Sequence, residues 1–303
     1  MSKLAALFAG QGAQAVGMGK DLAAAFSECA ELFNRADAIL GFSLSKTCFE
    51  GPAEDLTKTN ICQPAIFTMS AAAFTAFRKL HPDAAFSSAA GLSLGEWTAL
   101  WAAGVVSFEE ALKILEARGR FMQEACDVEP SGMVSVARVP AGVAEQIAEA
   151  TGCGVSNYNS AEQTVLSGSG EQVAEATRLA TEKGAKAVVL QVAGAYHSKF
   201  MASAAEKLAP VLAAAEIKAP EIPVLSNFTG KPHGSVEEIK AAMLSQITSP
   251  VRWTENLAWL GADGATALVE FGPGRVLTSL AKRELPGLAL YNVATAEQAG
   301  VQF

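Results

Sequence analysis

Cysteine, histidine and charge are all scarce in this chain of 303 residues. Its five cysteines (Cys29, Cys48, Cys62, Cys126 and Cys153) are odd in number, widely spaced and never arranged as C-x-x-C. That pattern argues against a disulfide framework and against a zinc site, so no metal is expected and a reducing, cytoplasmic setting is. No uncharged apolar run reaches the length of about 18 residues that marks a membrane helix, and the apolar stretch 4–9 is shorter than a signal-peptide core and ends in a glycine turn. A soluble, unexported chain is therefore expected, with no membrane partner. Only 18% of the residues are charged, and 23 Lys plus Arg against 31 Asp plus Glu leave a formal charge of -8. Such a field repels nucleic acid and anionic lipid, so any surface for an acidic partner must be local.

What is abundant is apolar: 50% of the residues are hydrophobic, enough for a sizeable core. Ala-rich helical stretches alternate with short apolar runs that end in glycine or another turn residue, the pattern of a mainly parallel sheet covered by helices on both faces. The reading is α/β, with candidate strands at 3–8, 84–90, 222–227, 267–271 and 288–292. Between about 131 and 191 the rhythm changes. Extended runs at 132–138, 154–159, 163–167 and 185–191 enclose helical runs at 141–150 and 171–183, giving a β-α-β-β-α-β order. A ferredoxin-like subdomain at 129–193 is expected to interrupt a large α/β domain made of 1–128 and 194–303.

Gly91-Leu92-Ser93-Leu94-Gly95 follows one candidate strand and precedes a helical stretch. This G-x-S-x-G sits where a serine can be exposed on a sharp strand-to-helix turn, with the amide of Leu94 at the helix start available to an oxyanion. A glycine-bounded turn carrying an idle serine is the alternative, and the strand-turn-helix context weighs against it. A nucleophilic serine needs a base, and the chain has three histidines. His81 precedes a proline at a helix end and His233 lies in Lys231-Pro232-His233-Gly234, so both read as solvent-facing loop residues. His197, where the last strand of the inserted module meets a helical run, is the candidate base. Asp127 is the only aspartate between Ser93 and His197 and has no loop context, so a dyad oriented by a carbonyl or amide is favoured over a triad.

The opening Phe8-Ala9-Gly10-Gln11-Gly12-Ala13-Gln14 tempts a nucleotide reading, but Ala15 breaks the dinucleotide fingerprint and Gln14 the phosphate loop. What survives is a tight turn that offers the Gln11 amide at a strand end. Ala111, Leu115, Arg118 and Met122 fall on one helical face, which puts Arg118 in an apolar stripe. A guanidinium there must be paired. An internal salt bridge, a snorkelling side chain and a bidentate ligand carboxylate all remain open.

Together these residues resemble the malonyl-CoA:acyl carrier protein transacylases, the acyltransferases of fatty acid and polyketide synthesis, from Leu4 to about Val293. The segment 8–14 is similar to the family's F-x-G-Q-G-x-Q, Gly91 to Glu96 to its G-x-S-L-G-E, Arg118 to Gln123 to its R-G-x-x-M-Q, and Ala195-Tyr196-His197-Ser198 to its histidine motif. Asn157-Tyr158-Asn159-Ser160, Gln246 ahead of Ser249-Pro250-Val251-Arg252-Trp253, and Glu270-Phe271-Gly272-Pro273-Gly274 complete the order. The resemblance implies Ser93 as nucleophile, His197 as base, Arg118 as the clamp for a malonyl carboxylate, and Gln11 with the Leu94 amide as the oxyanion pocket. It also implies a main-chain carbonyl of Gln246 that orients the histidine. Leu92 stands where many members have histidine, and Trp97 where many have another aromatic. Leu92, Tyr196, Asn157 and Asn159 are candidate pocket residues, and Tyr196 looks like the bulky residue of malonyl-selective relatives. The implied reaction carries malonyl from malonyl-CoA through an acyl-Ser93 to the phosphopantetheine thiol of an acyl carrier protein, with no bound cofactor, in a monomer. Other acyl selectivity in a polyketide line, a serine thioesterase or hydrolase, and a non-catalytic scaffold for carrier proteins are the rivals. Lys199, Arg275, Lys282 and Arg283 are candidates for a local basic face.

Overall fold

The computed structural model describes residues 3–302. Four parallel strands, β1 (Leu4–Phe8), β2 (Phe86–Gly91), β7 (Ala267–Phe271) and β8 (Ala289–Val293), form one sheet in the order β2-β1-β7-β8. Side chains alternate across a strand, and β1 shows what that does here. Leu4, Ala6 and Phe8 enter one apolar cluster while Ala5 and Leu7 enter another, so both faces are covered. That double coverage explains why the strand reads as a continuous apolar run. The first cluster includes the buried helix Thr59–Leu80 and much of the helix Phe108–Val128; the second includes Trp253, Leu257, Leu277 and Ala281 from helices on the opposite side.

The second sheet is antiparallel, built from β3 (Ser131–Ala137), β4 (Gly154–Ser160), β5 (Gln163–Ser169) and β6 (Lys186–Val189) in the order β4-β5-β3-β6. The helices Ala141–Thr151 and Gly170–Glu182 cover one face through Val134, Val136, Ile147, Leu166 and Ala176. Met133 and Val165 point the other way, into the cluster of the large sheet, which joins the two sheets through a shared core. The mixed α/β architecture, with a flanked parallel sheet and a separate antiparallel one, is the one expected.

One expected strand fails. Segment 222–227 pairs with β2 only at Ala89 and Val224, through Ala89 N–H to the Pro223 carbonyl and Leu225 N–H to the Ala89 carbonyl, both 2.9 Å. Pro223 has no N–H to extend the ladder, and a turn at 227–229 takes the chain away. All five cysteines are free and buried. Burial raises every one of their thiol pKa values, to about 11 for Cys29 and Cys126 and about 12 for Cys48 and Cys62. No helix among the described residues is long and apolar enough to cross a membrane, and none of these residues form a group of three or more His, Cys, Asp or Glu side chains that could hold a metal.

Candidate active site

Loops at the carboxyl ends of parallel strands are where open α/β sheets bind ligands, and β1 and β2 end in the two glycine motifs. β2 ends at Gly91 and the helix Leu94–Ala102 starts three residues later, leaving Ser93 at φ 55° and ψ -107°, a conformation costly for any residue with a side chain. The turn survives because its neighbours have no Cβ. A Cβ on Gly91 would collide with the Gly95 carbonyl, one on Gly95 with the Phe8 carbonyl, and one on Gly10 would lie 2.6 Å from the Leu92 carbonyl oxygen. Asn227 accepts from Ser93 N–H at 2.6 Å and donates to the Gly91 carbonyl at 2.8 Å, stapling the turn from both sides.

The serine hydroxyl lies between two long-range partners. His197 Nε2 is 2.8 Å from Ser93 Oγ, and Arg118 Nη2 donates to the same oxygen at 3.1 Å. On its other edge, His197 Nδ1 meets the main-chain carbonyl of Gln246 at 2.7 Å. That carbonyl can only accept, so Nδ1 carries the ring proton and Nε2 is left as an acceptor facing the hydroxyl. His197 is itself held in the left-handed region at φ 56°. It is 4% exposed. Burial, reinforced by the nearby Arg118 charge, lowers its pKa from 6.5 to about 4. The imidazole is therefore neutral throughout the physiological range.

Arg118 is 1% exposed and lies on the buried face of the helix Phe108–Val128, as its place in the apolar stripe predicts. Nη1 donates to Gln63 Oε1 at 2.6 Å and Nη2 to Gln246 Oε1 at 2.9 Å, while Nε has no partner. Burial lowers its pKa to about 10, so it remains a cation at neutral pH. Among the described residues no ion pair includes Arg118, so the internal salt bridge left open by the sequence is not formed. Its charge is neutralised by no direct partner and stands beside the serine.

Ser93, His197, Arg118 and Gln246 thus come together from four elements. Gln11 and Tyr196 meet in an adjoining cluster: Tyr196 Oη is 2.6 Å from Thr59 Oγ1, and Gln11 Nε2 reaches Tyr196 Oη at 3.4 Å and Thr59 Oγ1 at 3.5 Å. Leu94 is buried at the start of its helix, and Leu92 is half-buried with its N–H on the Phe8 carbonyl. Asn157 and Asn159 stand on β4 and hydrogen-bond to none of the four. The backbone around Asn157 pairs with Val251, which ties the small sheet to the Gln246 segment, and Asn159 Oδ1 is buried without a partner.

The two other histidines do not face solvent as expected. The His233 side chain is 1% exposed, with Nε2 2.6 Å from Glu96 Oε1, and the His81 ring is half-buried with Nε2 3.0 Å from the Ala299 carbonyl. Turn composition places the backbone at the surface but leaves the ring free to fold inward wherever a carboxylate or carbonyl lacks a donor. Glu96, Gln63, Asn227 and Thr59 were missed as site residues. Glu96 carried a signal, being the only charge in the mostly apolar helix Leu94–Ala102; His233 carried none.

A profile described as acyl transferase domain matches residues 6–300. The malonyl CoA-acyl carrier protein transacylase of Bacillus subtilis (strain 168) is 40% identical, covering 99% of this chain and 96% of its own. The solved malonyl CoA-acyl carrier protein transacylase of Coxiella burnetii superposes with a TM-score of 0.95 at 34% identity, over 98% of this chain and 96% of that one. A malonyl-transacylase solved in complex with its type II polyketide-synthase acyl-carrier protein gives a TM-score of 0.94 at 36% identity, over 98% of each chain. With its strand ends, its serine turn and its buried arginine in that frame, the chain belongs to the acyl transferase domain family and, within it, to the malonyl-CoA:acyl carrier protein transacylases.

Proposed function

We propose that this chain transfers malonyl groups from malonyl-CoA to the phosphopantetheine thiol of an acyl carrier protein by way of an ester on Ser93. The observation that carries the reading is Ser93 Oγ lying 2.8 Å from a neutral imidazole nitrogen and 3.1 Å from an unneutralised guanidinium. A base and a permanent cation on one hydroxyl suit an acyl group whose own carboxylate is two carbons from the reacting carbonyl. In the first half-reaction His197 Nε2 takes the hydroxyl proton as Oγ attacks the thioester carbonyl. The Leu94 amide and the Gln11 side chain receive the oxyanion, and His197 passes the proton to the CoA sulfur as the C–S bond breaks, which returns the imidazole to its neutral form and releases CoA as a thiol. In the second the acceptor thiol gives its proton to His197, attacks the ester carbonyl, and Oγ recovers a proton as it departs. No metal or bound cofactor enters either half.

The carrier's acidic surface would meet Lys199, Arg275, Lys282 and Arg283, all exposed. Arg283 also shares a cleft of about 530 Å³ with Arg138, Lys186 and the acidic Glu162. Five buried free thiols are in keeping with a cytoplasmic setting.

Brief exposure to malonyl-CoA should leave a malonyl group on the peptide that carries Ser93, read by mass spectrometry, and Ser93→Ala should abolish it. An adduct that persists in that variant, or that maps to a cysteine, would overturn the assignment. The acid limb of the pH profile is a second check. Because kcat/KM reports the free enzyme and His197 gains its proton only near pH 4, acylation by acetyl-CoA should be flat from pH 7 to about 5. Arg118→Ala removes one of the two causes of the lowered pKa, so the limb should move up. A wild-type limb centred near 6.5 would mean that burial and Arg118 do not hold the His197 pKa down. The same shift acts on stability: an unfolded histidine binds a proton at 6.5, the folded one only near 4. The His197 contribution is therefore complete above 6.5 and is lost as pH falls toward 4.

A further inference from the structure

Gln246 uses every polar atom of its side chain and its main-chain oxygen on the site. Its carbonyl meets His197 Nδ1, Oε1 accepts from Arg118 Nη2, and Nε2 donates both to the Ser93 carbonyl at 3.1 Å and to Glu96 Oε2 at 2.6 Å. An amide can turn over and exchange its oxygen and nitrogen. Here it cannot, because the carboxylate on one side only accepts and the guanidinium on the other only donates. Turned over, Oε1 would face Glu96 and the Ser93 carbonyl and the amide hydrogens would face Arg118, breaking all three side-chain bonds at once.

We propose that Glu96 is a positioning residue for malonyl recognition: its carboxylate locks the Gln246 amide so that Oε1 holds Arg118 beside Ser93. The inference rests on the acyl transfer proposed above and adds to it a residue that touches neither substrate nor the reacting atoms. Glu96 is fully buried, and its two oxygens take three donors. Oε2 accepts from Gln246 Nε2 and from Asn227 N–H at 3.0 Å, and Oε1 accepts from His233 Nε2 at 2.6 Å. Asn227 in turn holds the Ser93 turn. His233 is thereby the outer brace of the carboxylate, anchored by its own N–H on the Val224 carbonyl at 2.8 Å. Glu96 also acts on Arg118 as an opposite charge and is linked to it through a neutral amide. The guanidinium is steadied without being neutralised and stays open to a carboxylate on the substrate.

The consequence concerns selectivity. With Glu96 gone, the Gln246 amide keeps only the longer 3.1 Å bond to the Ser93 carbonyl on its donor side, so Arg118 keeps Gln63 but has a less firmly held oxygen on the Ser93 side, which degrades two-point recognition of a malonyl carboxylate. The His197 contact is to the main chain of Gln246 and is not broken by rotation of the side chain, so acetyl transfer should change less. Acylation rates for malonyl-CoA and acetyl-CoA are measured per active site, with sites titrated by the amount of acyl-enzyme formed. Glu96→Met, similar in length and without acceptor oxygens, should lower the malonyl to acetyl ratio at least tenfold. Glu96→Gln is the conservative rescue. One amide oxygen can still take Gln246 and Asn227 while its NH2 turns to His233, whose other neutral tautomer presents Nε2 as an acceptor. It should bring the ratio back to within about threefold of wild type. An unchanged ratio in Glu96→Met would mean that Glu96 serves folding alone, and a Glu96→Gln ratio as low as that of Glu96→Met would mean that charge, not orientation, carries the effect; either overturns the proposal. If Glu96→Met does not fold, Glu96→Asp decides. Its shortened carboxylate cannot span to Gln246, so the ratio should fall at least threefold, and no change overturns the proposal. Failure of the wild type to form any acyl-Ser93 would instead remove the parent reading.

Discussion

Arg118→Ala is expected to lower malonyl transfer by roughly two to four decades while acetyl transfer falls much less or rises. The buried guanidinium has no ionic partner of its own among the described residues, and in the proposed reaction the substrate carboxylate completes the pair. Stranding one member of a buried pair costs about 3–5 kcal/mol, and each 1.36 kcal/mol is about one decade. Acetyl has no charge to strand, and removing an unneutralised cation relieves a cost it never recovers. Parallel acylation assays on the purified variant, with the fold checked by circular dichroism, read the ratio directly. An equal fall for both substrates in a folded protein would make Arg118 a structural residue and remove the main physical support for malonyl.

A still larger loss is expected from His197→Ala, on the order of four to six decades, because a nucleophile and its base fail as a unit. The informative control is Asp127→Asn. Asp127 is exposed at the end of the helix Phe108–Val128, where its Oδ1 accepts from Gln123 Nε2 at 2.9 Å. The imidazole nitrogen that an orienting carboxylate would hold meets the Gln246 carbonyl instead. The Asp127 variant should transfer malonyl within a few-fold of wild type, as followed by release of CoA in the presence of carrier protein. A collapse comparable to that of His197→Ala would show that a carboxylate orients the base after all.

Local features were legible because their causes are local. The β-α-β-β-α-β run was readable from apolar period and turn residues, and the elements between Ser131 and Val189 follow that order. Ser93 was readable because the glycines that permit its backbone are its neighbours in sequence, and Arg118 because an arginine in an apolar helical stripe violates patterning that a fold otherwise respects. What escaped was assembled across the chain. Glu96 finds His233 137 residues away and Gln246 150 residues away, and no window of sequence contains either contact. The turn composition around His233 described its backbone correctly and its ring wrongly. Segment 222–227 had the apolar content of a strand, but a single proline beside β2 reduced it to one bridge.

The buried cysteines acquire a chemical meaning once the donor is a thioester and the acceptor a thiol. Such a catalyst carries five competitors for its own cargo, because any ionised protein thiol could capture the malonyl group by exchange. Cys62 has a pKa of about 12 and Cys126, beside Tyr196, of about 11, both raised chiefly by burial. The thiolate, not the thiol, is the attacking species, and at neutral pH about one Cys126 in ten thousand would be ionised even if water could reach it. Acyl traffic is thereby confined to sulfur that arrives from outside, and chemoselectivity between like nucleophiles is enforced by packing rather than by the reacting groups.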